Sequence, residues 1–421
     1  MKWLMLAVAL LAMPTAIRRG REDSRVRRGM ALLIGFLPFF NVDLNLVSDI
    51  AYRGDTRGLE ISLVDLVAWA LLATLPRSHR PYRVVAPLYI ALAFTSIVHA
   101  WRPEFALYGA VKIVRMYALA ITVERAVSAR LGPSLLRGLA CGLIYTCAIA
   151  LDQRYRLGMM QVHGPFVHQN GIGMTVDLIV PALLALLLAG HGGRLAALAF
   201  GGGALAIVLS LSRGALLMMP LACTIVYVGS LRRSVTRRKL AVLAIAALSA
   251  VAIVAKSMDS LVERFTEAPA ASELARVNFE ASARAMLDDH PFGIGINQFS
   301  WVQSHGGYAD ALGIPDIDRD GIVHNIYRLT QAELGWIGLV AYLAVLASPL
   351  LTAVAAIVRS GRTADPRVDL LLGFAASLVV TYLHGTLEWS LRMTPIAQVQ
   401  WIVYGFIASL AVSLRDTRVS S

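Results

Sequence analysis

Charge is scarce in this sequence. Only 16% of the 421 residues are Asp, Glu, Lys or Arg, against 57% hydrophobic, where a soluble domain carries about 25% charged residues. That shortage argues against a soluble chain, and the apolar runs recurring along the whole length indicate a polytopic α-helical membrane protein. Acidic residues are the scarcer sign, 27 against 39 basic, for a net charge of +12. The excess does not point to nucleic acid, because Lys and Arg gather in short loops between apolar runs, where membrane orientation and contact with membrane lipids place them. Cysteine is nearly absent. Cys141, Cys147 and Cys223 all lie in apolar runs, which excludes a disulfide framework or a zinc pattern and leaves small packing residues. No internal repeat or low-complexity tract stands out, and no Asp/His set has metal-ligand spacing. A Ser-His-Asp triad cannot be assigned. Gly293-x-Gly295 does not sit between a strand and a helix of a βαβ unit, so a dinucleotide fold is excluded as well.

What is present is a series of 13 candidate spans. They run from 3–17, 30–47 and 59–75 to 239–256, and resume with 333–358, 367–386 and 394–414. The expected fold is therefore all-α, with about 12 (12–13) transmembrane helices. The uncertain member is 3–17, which resembles a signal-peptide core but lacks a small-x-small cleavage site followed by a soluble domain, and so reads as retained. Arginines crowd 18–28, 77–83, 232–238, 359–367 and the C-terminal tail, while the alternate loops hold only isolated ones such as Arg102, Arg213 and Arg392. The positive-inside rule puts the rich set in the cytoplasm. The one long polar segment then faces outward, dividing the chain into helices over 1–256, a large loop over 257–332 and helices over 333–421.

That loop concentrates Arg276, Glu280, Arg284, Asp288, Asp289, His290 and His324. Residues 272–290 have helical character, with a charged stripe at four-residue spacing that His290-Pro291 terminates. His324, followed by Asn325 and Tyr327, reads as a general base or phosphate ligand, or as an interfacial residue capping the next helix. Arg276 can hold a phosphate through two parallel donors, or pair with Glu280 one turn on. Arg213 stands alone between two apolar runs, where a cation is costly unless it snorkels to water or meets an anion. Lys112 and Arg115 share a helix face inside another run, and either pair structurally with Glu124 or add to an anion site. His168 and Asn170, in Gly164-Pro-Phe-Val-His-Gln-Asn170, can contact sugar hydroxyls or simply begin a helix. His384, Glu388 and Arg392 recur every four residues and either line a cavity or form a salt bridge at a helix end.

Four of these pieces in order resemble the O-antigen ligase and polymerase superfamily of membrane glycosyltransferases. They are 164–170, Leu211-Ser-Arg-Gly-Ala215, the helix from Arg276 into Asp289-His-Pro-Phe-Gly-Ile-Gly295, and His324-Asn-Ile-Tyr continuing through 331–339. The likeness covers roughly 160–340. It implies a GT-C-like fold in the bacterial inner membrane, with the large loop and the active site in the periplasm. It also implies glycan transfer from an undecaprenyl-diphosphate carrier to lipid A-core or another acceptor glycan, without metal, cofactor or nucleotide sugar. Arg213 and Arg276 would hold the diphosphate and His324 would assist the acceptor hydroxyl, with Glu388, Asn325, Tyr327, Lys112 and Arg115 as further candidates for substrate contact. Direct displacement would invert the anomeric centre. Within the superfamily a ligase is favoured by the single-loop layout, and a polymerase of O-antigen or exopolysaccharide stands beside it. A secondary transporter of an anionic lipid or sugar would require inverted repeats that are not apparent here. A scaffold leaves Arg213 unexplained.

Overall fold

In a membrane every backbone polar group must be satisfied within the chain, so apolar runs become helices unless another strand is at hand. The computed structural model describes residues 2–40, 43–49, 51–78, 81–245, 247, 248, 251 and 270–419. The chain opens with α1 (Lys2–Glu22) and α2 (Ser24–Phe36), the second capped by Asp23, which accepts from the Arg25 amide at 2.7 Å.

The expected spans 30–47 and 59–75 are not continuous helices. After Phe40 the chain becomes strand β1 (Asp43–Ser48), antiparallel to β2 (Gly58–Ser62), with Asp43 opposite Ser62 and Asn45 opposite Glu60. Asp43-Leu44-Asn45-Leu46 alternates polar and apolar, the period of a strand. A hydropathy sum over 30–47 does not register that change of period. Ser62 and Asp65 then form a capping box that starts the short α3 (Leu63–Leu72).

Next come α4 (Val85–Thr95), α5 (Pro103–Ser128), α6 (Gly132–Leu151), α7 (Gln169–Ala189), α8 (Gly193–Ser210) and α9 (Arg213–Leu231). The span expected at 239–256 is helical over 237–245, here α10, and most of its remainder lies outside the described residues, as do 257–269. Beyond them α11 (Ala270–Asp289), ended by His290-Pro291, joins α12 (Phe299–His305) and α13 (Tyr308–Ala311). The bundle is completed by α14 (Ile326–Ser360), α15 (Pro366–His384) and α16 (Thr394–Val419). Among the described residues nine helices are long and apolar enough to cross a membrane. The polytopic helical architecture is as expected; a count of twelve is not reached on these residues.

The core is built around α7, whose side chains are almost all buried because neighbours cover every face. α15 lies directly against it: a Cβ on Gly373 would come within 2.4 Å of the Ala182 Cα, so only glycine allows this approach. Helices α11 and α12 have a small core of their own, in which Phe279, Met286, Phe299 and Val302 pack on Leu329 and Ala332 of α14. Gly335, at φ 65°, interrupts α14. The carbonyls of Ala332 and Glu333 accept the amides of Ile294 and Gly295 at 3.1 and 2.8 Å. The turn after α11 is thereby fastened to the bundle, and Glu333 is buried beneath it with Arg392 as its ion-pair partner.

Candidate functional site

The starts of α7, α9 and α14 and the end of α15 converge, with α11 beside them, around a cavity of ≈ 630 Å³. α9 and α14 run from this cavity to Arg232 and Arg359, and α15 runs toward it from Arg367, so the cavity lies at the end of these helices opposite to the arginine-rich loops.

Each helix start delivers a specific group. His168 adopts an extended backbone and caps α7, its Nδ1 accepting weakly from the Asn170 amide at 3.4 Å. Leu211 ends α8 in the left-handed region, at φ 52°. This abrupt reversal makes Arg213 the first residue of α9. The Ser212 hydroxyl does not cap α9 but donates to Asn170 Oδ1 at 2.9 Å. Arg213 forms no ion pair among the described residues and lines the cavity.

Glu388, just beyond α15, is the hub. Its side chain is only 4% exposed. Oε1 accepts from Asn170 Nδ2 and, at 3.1 Å, from Arg276; Oε2 lies 3.2 Å from His324 Nδ1. A buried carboxylate requires such company, and three donors from three segments supply it. With its proton on Nδ1 and directed to Glu388, His324 has Nε2 left as an acceptor. The Phe279 ring lies nearly parallel to the imidazole at 6.4 Å between centroids. His168 lines the cavity and is exposed at its surface. Partial desolvation among the cavity groups lowers its pKa, with Glu388 acting against that shift and His324 and Arg276 in the same sense.

Of the residues expected from sequence, Arg213, Arg276, His324, His168, Asn170, His384 and Glu388 thus line one cavity. The others are elsewhere. Asn325 is the N-cap of α14, accepting from the Tyr327 and Arg328 amides at 3.1 and 3.2 Å. The Tyr327 hydroxyl donates to the Tyr382 carbonyl at 2.7 Å. Arg115 is buried against Asp65 at 2.6 Å and Glu60 at 3.3 Å, and Lys112 donates to Thr56 at 3.0 Å. Their partners come from the β-hairpin and α3, not from Glu124, which accepts from Ser78 and Ser128. Glu280 pairs with Arg328 and Arg284, leaving Arg276 to Glu388. Arg392 faces Glu333 and Asp55 instead of joining His384 and Glu388.

One group escaped the sequence reading. Asp177, inside α7, lies 2.8 Å from Nδ1 of His384, both essentially inaccessible to solvent, and His384 forms part of the cavity wall. A lone carboxylate within an apolar run was the available signal.

No curated protein matches the chain. His168, Asn170, Asp177, His384 and Glu388 all fall outside a segment that a family model matches, whereas Arg213, Arg276 and His324 fall within it. That segment, residues 195–343, matches the family model described as O-antigen ligase, which supports placing the chain in the O-antigen ligase and polymerase superfamily.

Proposed function

We propose that this protein is an inner-membrane glycosyltransferase that moves a glycan from an undecaprenyl-diphosphate carrier to an acceptor sugar, and that it acts as an O-antigen ligase with lipid A-core as acceptor. The observation that bears most weight is the single cavity in which two arginines and a carboxylate-held histidine meet. Its position opposite the arginine-rich loops supports an active site on the periplasmic side.

In this reading the donor's diphosphate lies against Arg213 and the free side of the Arg276 guanidinium. The acceptor hydroxyl approaches His324 Nε2, which takes its proton as the oxygen attacks the anomeric carbon. The bond from that carbon to the diphosphate oxygen breaks, its electron pair stays on the departing diphosphate, and the anomeric centre inverts. Arg213 and Arg276 stabilise the charge that develops there. Glu388 keeps the proton of His324 on Nδ1 and so keeps Nε2 basic toward substrate. His168 and Asn170 are placed to contact sugar hydroxyls.

Reconstitution with an undecaprenyl-diphosphate glycan and two acceptors tests the proposal. Glycan on lipid A-core is the expected product. Lengthened carrier-linked glycan would indicate a polymerase of the same superfamily, and no transfer to either would favour the transporter reading. Arg276→Lys is expected to lower the transfer rate about tenfold, because one ammonium cannot face Glu388 and a phosphate with the geometry of a guanidinium fork. Unchanged donor affinity and rate in that variant would remove Arg276 from the diphosphate site.

A further inference from the structure

The proposed mechanism makes no use of the Asp177–His384 pair. Asp177 is 0% exposed, and its Oδ1 has no hydrogen-bond partner among the described residues. Its Oδ2 lies 2.8 Å from His384 Nδ1. An ionisable pair at this depth in a helical membrane protein is expensive to bury and is retained where it serves a site. With Nδ1 held by Asp177, the nitrogen of His384 left for the cavity is Nε2.

Nε2 faces the first turn of α9. A Cβ on Gly214 would lie 2.4 Å from it, so any larger residue at 214 would cover the imidazole. That turn of α9 is short of acceptors. The Leu216 amide bonds to the Ser212 carbonyl at 2.9 Å, but no side chain caps the helix, because the Ser212 hydroxyl is bound to Asn170. Uncapped amides at the start of a long helix, a histidine nitrogen directed at them and an Arg213 without an ion pair among the described residues have the chemistry that an anion site requires.

We propose that His384, held by Asp177, binds a phosphate oxygen of the lipid diphosphate at the start of α9, and that binding takes up a proton on Nε2. This assignment rests on the function proposed above. The Asp177 carboxylate balances the imidazolium, and Nε2–H donates to the phosphate; no bond other than N–H is made. His384 is then a second carboxylate-held histidine of the cavity, on the leaving-group side, while His324 serves the acceptor. Asp177 from α7 is its ion-pair partner, and Arg213 stands one residue before the Gly214 that its Nε2 faces at the start of α9. His168, Arg276, Asp318, His324 and Glu388 line the same cavity, and α14 and α16 meet α15 through Tyr327 and Tyr404 at Tyr382.

The test is binding of undecaprenyl diphosphate to the full chain in nanodiscs, at about pH 6 and about pH 8.5, on either side of the usual histidine range. The wild type is expected to bind about tenfold more tightly at the lower pH, the size of one charge-assisted hydrogen bond. His384→Gln should lose most of that gain and flatten the profile. Asp177→Asn preserves the shape of the pair without its charge and should weaken binding at the lower pH by a similar factor. A wild type that binds no lipid diphosphate at either pH overturns the proposed function, and this assignment with it. A wild type that binds, beside His384→Gln with equal affinity and slope, overturns the assignment of His384 alone. Should His384→Gln fail to fold, unchanged binding by Asp177→Asn is equally fatal to it.

Discussion

Replacing His324 by alanine is expected to reduce glycan transfer by about 10² to 10⁴, the usual contribution of a positioned general base. The loss should appear in kcat at saturating donor, because in the proposed mechanism the imidazole acts on the acceptor hydroxyl and not on the diphosphate. The fold should survive. Without His324, Glu388 still accepts from Asn170 and Arg276, so no buried carboxylate is left without a donor. The check is the initial rate of product formation beside the yield and melting temperature of the purified variant. Transfer near the wild-type rate would remove His324 from the chemistry, whatever the fate of the arginines.

Arg213→Ala should lower kcat by about 10² to 10³, as removal of one preorganised donor to developing charge does elsewhere. Arg213 is a clean position for this test, since it forms no ion pair among the described residues whose loss could disturb packing. Melting should therefore shift by no more than about 0.5 kcal/mol of stability. Arg213→Lys restores the charge but not the paired donors, so it should recover only part of the rate. If alanine and arginine transfer glycan equally fast, the diphosphate lies elsewhere, and the start of α9 is only a helix end.

Much of this architecture is legible in the chain because membranes impose a simple rule. Long apolar stretches such as 169–189 and 366–384 must close their backbone hydrogen bonds internally, and they appear as α7 and α15. The rule misleads where an apolar stretch is short and finds a strand partner, as at Asp43–Ser48 and Gly58–Ser62. There hydropathy alone suggests a span, and only the alternation of Asp43 to Leu46 hints at the hairpin. Arg213 and Asp177 are similarly readable as costly charges in apolar surroundings. Sequence spacing was less reliable for partners. Arg276 and Glu280 sit one turn apart and bond elsewhere, and Glu388 and Arg392 are equally close in sequence yet face different neighbours.

Composition and spacing are enough for the polytopic helical class, for the sidedness expected from the arginine-rich loops, and for a short roster of polar groups too expensive to bury without purpose. Tertiary structure alone decided which of them meet. Glu388 gathers Asn170, Arg276 and His324 from segments separated by 218, 112 and 64 residues. Lys112 and Arg115 turn away to Asp65, Glu60 and Thr56. The physical reason is that the cost of burying a charge is local and visible along the chain, whereas the group that offsets it can come from any helix the bundle brings alongside.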